Sequence, residues 1–246
     1  MTTVGVSLKM YFGHERAREW FGRVAELART NDSVASGETE LFIIPSFLAI
    51  PAALEAFADT KVVVGAQDLF WEDEGAYTGE ISGAELAELG VGVVEVGHAE
   101  RRRLFAETDA IVAAKTAAAL RNGLAPVICI GETQQGSTDA AALACVAQLE
   151  AALAAAPEGR VIVAYEPVWA IGAEQPASPE HIRAVCAWLR MHLATLSDRA
   201  GSVLIYGGSA GPGLLGELGD DVDGLFLGRF AHDIDSLSAV LEEASA

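Results

Sequence analysis

The chain has 246 residues, a formal net charge of −19 and a sequence pI near 4.5, with 51% hydrophobic residues. So acidic a protein repels nucleic acid and anionic membranes, and any anionic ligand has to be held by local features rather than by the overall field. No apolar run reaches transmembrane length and no basic-then-apolar amino terminus is present, which predicts neither membrane insertion nor secretion and, by default, a cytoplasmic address.

Eight short apolar or β-branched runs recur along the chain: Val4–Ser7, Leu41–Ile44, Val62–Ala66, Val91–Val96, Val127–Ile130, Val161–Tyr165, Val203–Tyr206 and Gly224–Leu227. An amphipathic Ala/Leu/Glu/Arg segment follows each, the pattern of βα units around a parallel sheet. No Pro/Ser-rich linker divides them. Eight near-evenly spaced units in a chain of this length predict one α/β domain over residues 1–246, closed as a (β/α)8 barrel in preference to an open doubly wound sheet. Cys129, Cys145 and Cys186 lie inside apolar patterns without metal-ligand spacing, so they are expected to be reduced core thiols, and neither a metal nor a cofactor is expected.

Chemistry in such barrels sits where strands end, so the polar residues there are the candidates. After the first run stands Lys9, in VSLKMYFG, one of only three lysines in the chain. A scarce cation among apolar neighbours fits ligand binding; a solvated loop charge is the alternative. The third run leads into residues 67–82, QDLFWEDEGAYTGEIS, long for a βα loop and carrying Phe70, Trp71 and Tyr77. Exposed aromatics there predict insertion into a partner subunit, with a substrate lid as second choice. The fourth run ends in EVGHAERR, with His98 at the mouth, Glu95 before it and Glu100, Arg101 and Arg102 after it. A histidine at a strand end beside a helix start serves as acid or electrophile, or is a satisfied structural group. His14, His181, His192 and His232, on predicted helices or late turns, have weaker claims. Glu132, in ICIGET after the fifth run, is expected to be a loop or cap carboxylate.

The sixth run, in VIVAYEPVWAIGAEQPA (Val161–Ala177), delivers Glu166 where Pro167 ends the ladder. Behind it an irregular segment with Trp169, Gly172 and Pro176 is long enough to fold over whatever Glu166 faces. The pattern is that of a base followed by a lid; a capped strand end with a solvated glutamate is the plainer reading. IYGGSAGPG and GLFLGRFAHD follow the last two runs. Their small residues let backbone N–H groups approach an anion, and a following helix start would add positive dipole, at the usual phosphate position of an eight-unit barrel.

Lys9-Met10, GAYTGEIS, VGHAERR with the downstream FAET, ICIGET, AYEPVWAIG, IYGGS and DGLFLG stand in the order and spacing of the triosephosphate isomerases, which the chain resembles over nearly its whole length. The resemblance implies a TIM barrel and a ketose/aldose phosphate isomerase in which Glu166 is the base, His98 the electrophile and Lys9 the cation over the substrate oxygens, roles that belong to the family. It implies phosphate held by backbone N–H groups at Gly172, Ser209, Gly228 and Arg229, support from Glu100 and Tyr206, and a homodimer joined through residues 67–82 with Thr78 near the partner's Lys9 and the partner's His98.

The departures from the family pattern bear on the substrate. Ser7 and Leu8 stand where most members have asparagine and tryptophan before the lysine; the lid tip reads Gly172-Ala173-Glu174-Gln175-Pro176 rather than Gly-Thr-Gly-Lys; and Arg229 replaces the second glycine of the last pair. Serine before the lysine, a Trp-containing third loop, a Pro-Ala-Ser lid end and Gly-Arg after the eighth strand resemble the tetrulose-phosphate branch, which interconverts L-erythrulose 1-phosphate and D-erythrulose 4-phosphate. A tetrulose phosphate has one more hydroxymethyl group than dihydroxyacetone phosphate, on the carbon farthest from phosphate. Ser7, smaller than asparagine, would vacate space there and offer a hydroxyl. Arg229 would add a charge-assisted contact to phosphate, or point to solvent. The alternatives are an ordinary triosephosphate isomerase and an inactive barrel acting as a binding scaffold. Retention of Lys9, His98 and Glu166 with Pro167-Val168-Trp169 argues against the scaffold.

Overall fold

Apolar runs separated by helices fold as parallel strands buried on both faces, and the right-handed crossover of each unit sets the next strand beside the last. The computed structural model describes residues 1–173 and 175–245. In it β1 (Thr2–Ser7) leads into α1 (His14–Thr30) and the short α2 (Asp32–Ser36), β2 (Thr39–Ile44) into α3 (Ile50–Phe57), and β3 (Val63–Ala66) into α4 (Gly83–Leu89). Next, β4 (Val93–Val96) is followed by α5 (Ala99–Phe105) and α6 (Asp109–Arg121), β5 (Ala125–Ile130) by α7 (Thr138–Leu153), and β6 (Ile162–Tyr165) by α8 (Pro179–Leu193). β7 (Val203–Tyr206) with α9 (Leu214–Leu218) and β8 (Gly224–Leu227) with α10 (Ile234–Glu243) complete the chain. Strands pair in chain order and β8 returns to β1, Thr3 opposite Gly224 and Val6 opposite Leu227, so the sheet closes as the expected (β/α)8 barrel.

All eight expected strands form, with small shifts at their ends. β1, β2 and β5 start two residues earlier than expected, because Thr2 and Thr3 ladder with Thr39 and Glu40, and Ala125 and Pro126 with Val93 and Val94. Apolarity alone underestimates ladders that begin in polar β-branched residues. β4 starts two residues later, at Val93: Gly90 (φ 96) caps α4 in the left-handed region, and the Val91 N–H is still bonded to Leu86 O at 3.0 Å. β3 and β6 start one residue later.

The barrel interior is a packed floor. Phe42, Val127, Ile162, Val203, Ile205 and Phe226 belong to one buried cluster, separate from the larger shell between sheet and helices. Small residues face large ones: a Cβ on Gly5 would lie 2.1 Å from Phe42 Cζ, and one on Gly65 2.6 Å from Val93 Cγ2. A floor this full keeps a ligand out of the barrel interior, and the largest cleft described lies at the carboxyl ends of the strands. Cys129, Cys145 and Cys186 are free and buried, as expected of core thiols. Among the described residues no helix is long and apolar enough to cross a membrane.

The aromatic loop corrects one expectation. Phe70 is buried, not exposed, with ring centroids 4.0 Å from Trp71 and 4.6 Å from Tyr77, and its N–H bonds Ile81 O at 2.8 Å. Asp73 accepts from Arg121 at 2.9 Å and from Asn122 at 2.7 Å, tying the loop to the end of α6. Stacked rings shield one another from water, so residues 67–82 form a prebuilt arm from which Tyr77, of the three, is exposed.

Gly5→Ala forces a methyl group into the Phe42 ring. Stability is expected to fall by about 1–3 kcal/mol, read as a lower urea midpoint with an unchanged slope; an unmoved midpoint would show that the floor has slack.

Candidate active site

Beyond β1 the chain turns so sharply that Lys9 has φ 48°, a left-handed conformation that strains any residue with a Cβ. Gln67 holds the turn, its Nε2 donating to Lys9 O at 2.9 Å. Lys9 Nζ then lies 3.2 Å from Glu100 Oε1 and 3.3 Å from His98 Nε2. Burial opposes the ammonium charge, but the Glu166, Glu100 and Glu95 carboxylates together hold its pKa above the ordinary lysine value. The cation is therefore kept charged inside a largely closed site.

His98 is the N-cap of α5, its Nδ1 accepting the Glu100 N–H at 3.2 Å. An accepting Nδ1 places the proton of a neutral ring on Nε2. That nitrogen faces Lys9, Glu166 Oε2 at 3.6 Å and Glu95 Oε1 at 3.9 Å. Glu166 follows β6, its N–H bonded to Ile130 O at 2.8 Å before Pro167 stops the ladder. The side chain is 6% exposed and Oε2 has no hydrogen-bond partner among the described residues, so it is not a solvated strand end. Gly207 makes room for it, since a Cβ there would lie 2.6 Å from Glu166 Oε1. An unpartnered carboxylate aimed into a cleft is placed to accept a proton rather than to brace the fold.

The cleft, of about 780 Å³, is lined by Ser7, Lys9 and Glu166 together with Gly172, Ser209, Gly228 and Arg229, and His98 is buried against Lys9 and Glu166. The cup of small residues is made of turns. Ser209 has φ 56°, and Gly228 opens directly into a 3-10 turn, Arg229–His232. The expected helix start is a minor part of it, because α9 begins only at Leu214 and is one turn long. The Arg229 guanidinium does not simply point to solvent: its Nη2 lies 3.5 Å from Gly172 O at the lid tip.

One cation, one Nε2–H donor and one free carboxylate thus converge beside an anion cup. Residues 2–244 match the sequence profile of the family described as triosephosphate isomerase. The chain belongs to the triosephosphate isomerase family. It is 51% identical over 246 residues to a Pectobacterium atrosepticum protein named L-erythrulose-1-phosphate isomerase, covering 98% of this chain and 95% of that one. A Rhizobium etli protein of the same name is 40% identical, with 99% and 92% covered. A triosephosphate isomerase of Mycobacteroides abscessus is 44% identical over a shorter stretch, 80% of this chain and 79% of its own.

The segment behind Glu166 is tied down by its own set of polar contacts. Its root is a 3-10 turn, Val168–Ala170, in which Trp169 Nε1 donates to Glu132 Oε1 at 2.8 Å. Glu132 also accepts from Tyr165 OH at 3.2 Å and lies 3.0 Å from His181 Nε2. It lies in the loop after β5, as expected, but as a buried hub under the lid rather than as a cap. Two residues latch the far side: Ser209 Oγ donates to Ala170 O at 2.9 Å, while Tyr206 OH accepts the Ala177 N–H at 3.2 Å and donates to Gly208 O at 2.8 Å. Glu174, in the lid tip, lies outside the described residues.

Three residues of the site escaped the sequence reading as functional: Gln67, Glu132 and Glu95. Only Glu95 carried a usable signal, an acid inside the otherwise apolar strand VVEV. It is 3% exposed and accepts the Ser7 hydroxyl at 2.8 Å, so the hydroxyl expected to be free for substrate already spends its proton inside the protein. Burial first, and the Glu166 charge second, push the Glu95 carboxyl above its ordinary range, against the pull of His98, Lys9 and Ser7.

Tyr206→Phe removes both latching hydrogen bonds and leaves the buried Ala177 N–H unpaired. kcat/KM is expected to drop about tenfold, from a loss of about 1–3 kcal/mol in the closed lid. Unaltered kinetics would show that the Ser209 contacts suffice.

Proposed function

We propose that the protein isomerises a phosphorylated ketose through an enediolate, interconverting L-erythrulose 1-phosphate and D-erythrulose 4-phosphate. The observation that carries the chemistry is the convergence of Lys9 Nζ, His98 Nε2 and Glu166 Oε2 beside the cup of Gly172, Ser209, Gly228 and Arg229. Glu166 takes the proton from the hydroxyl-bearing carbon next to the carbonyl, the C–H electron pair becomes the enediolate double bond, and charge moves to the former carbonyl oxygen. Lys9 and the Nε2–H of His98 stabilise that oxygen and let the proton move between the two oxygens. Return of the proton from Glu166 to the neighbouring carbon completes the carbonyl shift. The lid, gripped by Tyr206 and Ser209, keeps water out while the enediolate exists and guards against loss of phosphate. No cofactor is needed for such a step.

Two observations support the four-carbon substrate: relatives matched over nearly their full length carry the erythrulose name, and the small Ser7 lines the cleft where most of the family has asparagine. An ordinary triosephosphate isomerase is the second reading, supported by relatives of that name. Comparing kcat/KM on L-erythrulose 1-phosphate and dihydroxyacetone phosphate separates them. The tetrulose is expected to win; a preference for the triose overturns the substrate and leaves the catalytic roles standing. Glu166→Asp withdraws the carboxylate by one methylene and is expected to lower kcat about a hundredfold with the fold intact. An unchanged rate would remove Glu166 as the base.

The assembly we propose is a homodimer joined through residues 67–82. Met10, Leu48, Tyr77 and Phe105 are 94%, 89%, 44% and 63% exposed, on the loops or helix that follow the adjacent strands β1 to β4, and together they present apolar surface on one side of the mouth. Thr78, exposed on the same arm, would then approach the partner's Lys9 and the partner's His98. Light scattering at micromolar concentration is expected to give twice the 25.7 kDa chain mass; a fully active monomer contradicts it. Three free, buried thiols fit a reducing, cytoplasmic address.

A further inference from the structure

Glu95 is an anomaly of the barrel floor. Apolar side chains dominate the interior that it shares with Ser7, among them Phe42, Val93, Val127 and Phe226. Burying a carboxylate costs free energy that an aliphatic side chain would not, so stability does not account for its presence. His98 and Lys9 act on its charge only from a distance, and among the described residues no charged group lies within hydrogen-bonding range of it. Its Oε2 accepts one hydroxyl, Ser7 Oγ, at 2.8 Å, and its Oε1 lies 3.9 Å from His98 Nε2, beyond hydrogen-bonding range. The two residues come from β1 and β4, strands that do not pair, so the contact crosses the interior of the barrel directly beneath the cleft.

A serine hydroxyl has one proton and two lone pairs. With the proton directed to Glu95, Ser7 turns only lone pairs toward the cleft that it lines. Without an anchor the hydroxyl would rotate and serve equally as donor or acceptor. The phosphate cup lies in the loops beyond β6, β7 and β8, whereas Ser7 is the last residue of β1 and Glu95 lies within β4. A ketose phosphate seated in the cup therefore directs the end remote from phosphate to the floor. That end of a tetrulose is a hydroxymethyl group beyond the reacting carbon, whose O–H is a donor; in dihydroxyacetone phosphate the remote hydroxymethyl carbon is itself the reacting carbon, and no further hydroxyl lies beyond it.

We infer that Glu95 is a positioning residue that fixes Ser7 as a hydrogen-bond acceptor for the terminal hydroxyl of the substrate, and thereby sets the preference for a four-carbon over a three-carbon ketose phosphate. The inference rests on the tetrulose reading of the cleft. Glu95 acts through Ser7 and does not line the cleft itself.

The test is the ratio of kcat/KM on L-erythrulose 1-phosphate to that on dihydroxyacetone phosphate, which cancels differences in active fraction. Glu95→Met removes the acceptor and suits the apolar floor; the ratio is expected to fall about tenfold. Glu95→Gln keeps an acceptor oxygen and is expected to hold the ratio within about threefold of wild type. In a Ser7→Ala background, Glu95→Met should shift the ratio by less than about twofold, because the group it acts through is gone. Should Glu95→Met not fold, Glu95→Ala, which also lacks an acceptor and adds no bulk, takes its place. If the wild-type enzyme favours the tetrulose and Glu95→Met depresses both substrates equally, Glu95 works on His98 or on the fold and the inference is overturned alone. If the wild-type enzyme favours dihydroxyacetone phosphate, the substrate reading is overturned and the inference falls with it.

Discussion

One ammonium group is shared by more carboxylates than it can neutralise, and the catalytic end of the barrel is arranged around that imbalance. Lys9 Nζ is paired with Glu100, and Glu166 and Glu95 also act on its charge. Lys9 cannot satisfy them all, and Glu166 Oε2 has no partner among the described residues, as the proposed base requires. The cation is held in place by a left-handed backbone at Lys9 itself and by Gln67 from the next loop but one. Strain at that turn is tolerated because closure of the barrel fixes both of its flanks.

A second cation shows the same competition away from the chemistry. Lys115 donates to Asp68 at 2.7 Å and to Glu107 at 2.5 Å, and Arg101 reaches both acids. The two carboxyls respond oppositely. Burial wins at Asp68 and raises its pKa to about 6, whereas at Glu107 burial is outweighed by hydrogen bonds from Lys115 and Arg101 and the pKa falls. Asp68 opens the aromatic arm and Arg101 follows His98, so this buried network joins the arm to the histidine turn. The lid is rooted in a third hub, Glu132, in which a carboxylate gathers three donors from Tyr165, Trp169 and His181. Catalytic strands, arm and lid are thus each pinned by buried polar groups whose partners lie in other βα units.

The eight-unit barrel was legible in the chain because strand and helix periodicity are local properties, repeated eight times without a linker. Lys9, His98 and Glu166 were legible too, as polar residues at the ends of apolar runs. The ends of β1, β2 and β5 were misjudged where threonine or proline continues a ladder. Phe70 was misjudged because an aromatic on a polar loop gives no sign of whether its cover is a partner or its own neighbours.

By itself, then, the sequence determined which elements form, in what order, and which scarce polar residues stand at strand ends. Only the tertiary structure decided what those residues touch. Ser7 and Glu95 meet across 88 positions, Lys9 and His98 across 89, and Glu132 and His181 across 49. The reason is barrel closure: it brings Ser7 and Glu95 together from strands that never pair, and it gathers the loops and helices that carry the other two pairs around one end of the barrel. Hydropathy averages over neighbours along the chain, so it hid one acid inside an apolar strand, while the closed interior singles that acid out by leaving it one polar partner.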